Sequence, residues 1–261
     1  VADVKTLREV VVPTEHGGWG FTAEPLVLGL LVAPGLPTAA LAVVGMSVFL
    51  ARRPVRLLSA DRKAGRRLPR TSVAVGVLVV LVALIVAGIA VAALSASGPF
   101  WIPLVVALPF AAVQQWYDLQ NRQRALVPEI LGPLALAALA PAMLLAGGVA
   151  ATVAAGAWLT LAARVLSSIL LVRIQIRRTR GRPYSVPPLH VVSWVGVGVL
   201  AVAAWAAWVP WLVPLALVAV ALWNLVSVKR PPTTPKFLGW SQMAFGLVVV
   251  VLFAVGYHAG W

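Results

Sequence analysis

Residues 72–95 read SVAVGVLVVLVALIVAGIAVAALS, and the chain carries no charged residue between Arg70 and Asp118. Such a run matches the roughly 20 apolar residues a helix needs to cross about 30 Å of hydrocarbon. Runs of similar character recur around it, at 18–35, 36–52, 99–117, 127–146, 149–172, 190–208, 210–228 and 237–258. Together they predict an all-α integral membrane protein with about nine transmembrane helices. The first two runs are short and read either as two crossings or as a re-entrant pair. Pro34, Pro37, Gly98, Pro99, Gly147, Gly148 and Pro210 punctuate the short turns on one side. The 261-residue chain is 61% hydrophobic and 11% charged, whereas a soluble domain is about a quarter charged. A membrane β-barrel would alternate in segments of about ten residues, and no such alternation occurs. The absence of cysteine excludes disulfides, thiolate metal sites and thiol catalysis. The first residues are polar and mixed rather than basic and then apolar, so the first apolar run is expected to insert and remain.

Of the 21 Lys and Arg residues, all but Arg164 fall on one side of this topology. Lys5 and Arg8 lie in the segment 1–17, and the others lie in the connections 52–71, 118–126, 173–189 and 229–236. The positive-inside rule therefore places the N-terminus and these four basic loops in the cytoplasm and the C-terminus outside. Residues 18–261 form a single polytopic domain, expected in a bacterial plasma membrane. A formal charge of +14 is thus an orientation signal, with anionic lipids at the cytoplasmic face as its partners and no nucleic acid implied. Tryptophans fall where indole rings favour the interface: Trp101, Trp205, Trp208, Trp211 and Trp261 near outer ends, and Trp19, Trp116, Trp194 and Trp240 near inner ends. Trp158 lies inside its span and is expected to pack between helices.

The polar residues left over by topology are few. Arg164 stands deep in the span 149–172, where a charge costs at least about 2.5–3.5 kcal/mol on insertion scales and so must face the bundle interior with a partner. Helical spacing lines up Arg164, Ser168 and Gln175, with Ser167 beside them, as a polar stripe running to the cytoplasmic end. Arg164 either snorkels to that interface or contacts a ligand. Among seven acids, Glu24 and Glu129 sit at the inner ends of their spans, and Glu129 is the expected partner of Arg164. Asp61, read as solvent exposed among eight basic residues, is expected to neutralise a neighbouring arginine. Asn224 reads as an interhelical hydrogen bond. Glu15 and His16 precede Gly17-Gly18-Trp19-Gly20; the glycines allow close backbone approach and His16 could titrate near neutrality. Candidate acid–base groups are therefore Glu15, His16, Glu24 and Glu129. Candidate anion or head-group ligands are Arg52, Arg53, Arg122, Arg164, Ser168 and Arg173. No metal set or cofactor motif is evident.

Pro13 to Gly20 followed by Glu24-Pro25-Leu26, the segment from Asp118 through Arg122 and Arg124 to Glu129, and Arg164-Val165-Leu166-Ser167-Ser168 running to Arg173 resemble the YwiC-like family of bacterial membrane proteins. That resemblance carries no reaction with it. A looser, architectural resemblance is to the UbiA superfamily of intramembrane prenyltransferases. It implies a nine-helix bundle whose two largest cytoplasmic loops bear aspartate-rich, Mg²⁺-binding motifs for a diphosphate. Here loop 52–70 has one acid, Asp61, and loop 173–189 has none, so aspartate-dependent prenyl transfer does not follow. Three functions remain open. The first is a cytoplasm-facing intramembrane pocket for an anionic or amphipathic ligand, isoprenoid or lipid-like included, with or without catalysis. The second is a small-anion transporter, and the third is a non-catalytic accessory protein. A cavity closed at the outer end favours the first, and a polar path to the outer face favours transport.

Overall fold

Prolines open several helices, at a position where a missing N–H costs nothing: Pro37 in α3 (Leu36–Lys63), Pro69 in α4 (Pro69–Ser95), Pro187 in α9 (Pro187–Trp205) and Pro235 in α11 (Pro235–His258). The remaining helices are α1 (Val4–Val11), α2 (His16–Val32), α5 (Trp101–Leu119), α6 (Leu126–Ala137), α7 (Leu139–Ala146), α8 (Ala151–Thr179) and α10 (Leu212–Lys229). The structure, a computed structural model, describes residues 4–11, 16–65, 68–120, 122, 124–231 and 234–261, and those residues contain no strand. Among the described residues, six stretches are long and apolar enough to cross a membrane: α4, the α6–α7 pair, α8, α9, α10 and residues 236–258 of α11; Gly18–Val32 is a shorter apolar helix.

The break between α6 and α7 has a local cause. Pro141 has no N–H to offer the carbonyl of Ala137, so the ladder fails there. Ala138 N–H turns to Ala135 O at 3.3 Å, which leaves the carbonyl of Leu134 free. The indole of Trp158 on α8 donates to it at 3.2 Å, and the same ring stacks on Phe110 of α5 at 6.3 Å. A proline-induced defect is thereby closed by a side chain that also joins three helices, as expected of a tryptophan inside a span.

The most apolar helix is also the least buried. Only 17% of the apolar window of α4 is buried, and Val79, Val80, Val86 and Leu94 are 59–90% exposed. Exposed apolar surface on this scale marks contact with lipid. The principal core lies elsewhere, around α8: Leu161, Ala157 and Val153 pack with Leu28 and Val32 of α2, Leu144 and Leu145 of α7, Leu200 of α9 and Val249, Val250 and Phe253 of α11. Asn224 on α10 donates to Ser193 Oγ on α9 at 3.3 Å, the interhelical amide bond expected of it.

Two helices run on beyond the apolar runs that begin them. Helix α3 continues from 52 to Lys63 and α8 from 172 to Thr179, each ending in basic residues, which favour the negative end of the helix dipole. Asp61 therefore stands on a helix rather than in an open loop. It is 4% exposed, accepting from Arg70 at 2.8 Å and Thr71 at 2.9 Å. The pairing is as expected; the solvent exposure is not, because the extended α3 packs its last turns against α4. The two hydrogen bonds hold the Asp61 carboxyl below its ordinary pKa, Arg70 contributing most.

Candidate functional site

Arg164 lies on the core-facing side of α8 and is 1% exposed. Its guanidinium reaches Glu24 of α2 at 3.3 Å, Gln242 Oε1 of α11 at 3.2 Å and the backbone carbonyl of Gln242. One buried arginine thus ties three helices together. Glu24 approaches closely because Gly246 of α11 has no side chain: a Cβ there would overlap Glu24 Oε1. A Cβ on Gly20 would make only ordinary contact with Met243.

The pair expected from the sequence, Glu129 with Arg164, does not form. Glu129 lies in the first turn of α6, and it accepts instead from Arg173. Nine residues of α8 separate the two arginines, roughly 13 Å along the axis, so each glutamate takes the arginine at its own depth. Glu24, in the middle of α2, is the deeper of the two acids. The expected polar stripe is also divided. Ser168 faces the same space as Arg164, whereas Gln175 turns away and donates to Ser227 O at 2.9 Å.

These side chains line a cleft of about 230 Å³ between α2, α6, α8 and α11. Glu24, Arg164, Ser168 and Gln242 form its polar floor, Phe21, Ile169, Val172 and Met243 its apolar walls, and Glu129 and Arg173 its mouth. Glu24 Oε2, Arg164 Nε, Ser168 Oγ and Gln242 Nε2 are buried with no protein partner. Unpaired buried polar atoms are costly, and these four belong to residues that line one cleft. Beyond Arg164 the same helices pack mainly apolar side chains, Leu161 on α8, Leu28 on α2 and Val249, Val250 and Phe253 on α11, while the buried Thr160 of α8 is satisfied by the carbonyl of Gly156 at 2.8 Å.

The other expected residues lie apart from this floor. Arg52 pairs with Asp118 at 3.0 Å and lines a small, separate cavity of about 30 Å³ between α3 and α5. Arg53 does not line the cleft. Arg122 is exposed in the connection between α5 and α6. Glu15 and the side chain of His16 lie outside the described residues. Among the described residues no three His, Asp or Glu side chains are placed to share a metal ion. Gln242 and Gly246 went unnoticed in the sequence; a lone amide inside the apolar run 237–258 was the available signal for the first, and the second had none.

A second cavity, of about 530 Å³, adjoins the mouth of the first and shares Glu129, Arg173 and Ile176 with it. Its other lining residues are Arg124, Arg177, Arg180 and Arg182. A polar-floored, apolar-walled cleft within a bundle that exposes valines and leucines defines a multi-pass helical membrane protein. The chain belongs to the YwiC-like protein family, whose model matches residues 12–144. The matched region includes Glu24 and Glu129; Arg164 and Arg173 lie beyond it, as does the last of the three segments that carry the sequence resemblance. No curated protein and no solved structure matches the chain.

Proposed function

We propose that this protein binds an anionic, amphipathic ligand in the cleft between α2, α6, α8 and α11, entering from the arginine-rich end. The observation that carries this function is a mostly apolar cleft lined by Glu24, Arg164, Ser168 and Gln242, each of which holds a buried polar atom without a protein partner. Ligand pockets of this type combine a mostly apolar lining with a few placed polar groups. Transport of a small anion would require the polar lining to continue past Arg164, where the buried side chains of Leu161, Val250 and Phe253 belong to one apolar cluster.

The chain crosses a bacterial plasma membrane nine times in this proposal, as α2, α3, α4, α5, α6–α7, α8, α9, α10 and α11. The basic ends of α3, α8 and α10 face the cytoplasm under the positive-inside rule, so the cleft opens to the cytoplasm or inner leaflet, as in a UbiA-like bundle. Glu24 and Glu129 are the available acid–base groups should the ligand react. Native mass spectrometry of the detergent-solubilised protein tests the binding. Wild type should retain an amphiphile, and Val172→Trp, which fills the cleft from one wall, should lose it. No retained amphiphile, or equal retention by both, overturns the proposal.

A further inference from the structure

The larger cavity at the mouth holds five arginines against one carboxylate. Its shape is set by the way α8 stops. Gly181 adopts a left-handed conformation, φ +61°, its N–H bonding Arg178 O at 3.1 Å while Arg182 N–H bonds Arg177 O at 2.9 Å. This is a Schellman stop, and it folds the chain back so that Arg180 and Arg182 line the same space as Arg173 and Arg177. Arg177 is braced by Pro183 O at 3.1 Å. From the other side, Arg173 donates to Arg124 O at 3.3 Å and so holds the connection before α6 over the cavity.

We infer that this vestibule is a phosphate subsite, and that the ligand of the cleft is an amphiphile carrying a phosphate monoester, its phosphate among Arg124, Arg173, Arg177, Arg180 and Arg182 and its apolar part between Phe21 and Val172. The inference rests on the cleft being a ligand site. A carboxylate engages one guanidinium at a time, and Glu129 already pairs with Arg173. A phosphate monoester presents three oxygens and about −1.5 to −2 charge at pH 7, enough to engage several guanidiniums at once. Glu129 competes with the phosphate for Arg173, so it sets affinity at the junction of the two cavities.

The test is calorimetric titration of the full chain in neutral detergent with dihexanoyl phosphatidate, dihexanoylglycerol and inorganic phosphate. Phosphatidate should bind best, and Arg177→Ala/Arg180→Ala should weaken it at least tenfold. Arg62→Ala/Lys229→Ala, which removes equal charge elsewhere, should change it less than twofold. Glu129→Gln should strengthen binding of both phosphatidate and phosphate. Phosphatidate binding indifferent to Arg177 and Arg180, or equally weakened by the control pair, overturns the subsite. Phosphate binding that depends on Arg177 and Arg180, with phosphatidate no tighter and Val172→Trp without effect on it, keeps a free-phosphate site and removes the cleft as its extension. Dihexanoylglycerol binding as tightly as phosphatidate, but lost in Val172→Trp, keeps the cleft and removes the phosphate.

Discussion

At the residue scale the molecule turns on Arg164. A guanidinium buried in a span needs acceptors, and it finds one side chain from α2 and both a side chain and a carbonyl from α11. Removing one partner of a buried ion pair leaves the other uncompensated, a loss of about 3–5 kcal/mol. Arg164→Ala should therefore lower the melting temperature in detergent far more than Arg62→Ala, whose side chain is exposed. Gly246→Ala should act in the same direction without touching a charge, because its methyl displaces Glu24. If Gly246→Ala melts like wild type, Glu24 does not rest against that backbone.

At the scale of elements, the joint between α3 and α4 has a pH signature. A carboxylate held below its ordinary pKa in the folded state binds protons more weakly there than when unfolded. Its contribution is complete above the unfolded value, about pH 4 for aspartate, and disappears as pH falls through the lowered folded value. The melting temperature of Asp61→Asn should lie below wild type at pH 7, and the gap should close as the solution is acidified below about pH 4. A gap that stays constant across that range would mean the Arg70 and Thr71 contacts do not depend on the charge. The α6–α7 break shows the same economy of means: one proline opens the ladder, and Trp158 takes the carbonyl that the altered turn releases.

At the scale of the whole molecule, the Arg164–Glu24 and Arg173–Glu129 pairs lie toward the basic end of α8, and the principal apolar core packs around the other part of that helix. The proposed nine crossings place the C-terminus outside the cell. A C-terminal alkaline phosphatase fusion should be active and a fluorescent-protein fusion dark; the reverse pair of results would require an even number of crossings. Lys5, Arg8 and the basic ends of the long helices then share the cytoplasmic side, where anionic lipid attracts them. The phosphate vestibule would lie at the level of those headgroups, with the cleft leading from it into the bundle.

By itself the amino-acid sequence determined that the chain is helical and carries membrane-spanning apolar helices, and that Arg164 had to find an interior partner. Each follows from local arithmetic: run length against bilayer thickness, charge against the cost of burial. It was equally legible that Trp158 and Asn224 would join helices, since an indole or an amide within an apolar span needs an acceptor or donor nearby. Which glutamate Arg164 takes was decided only by the tertiary structure, because composition does not specify the relative depth of two helices. Glu24 prevails over Glu129 through the missing side chain at Gly246, 222 positions along the chain from Glu24. Nor could spacing alone bring Arg124 beside Arg177, Arg180 and Arg182, since their meeting depends on a left-handed glycine and on the hydrogen bond from Arg173 to the Arg124 carbonyl.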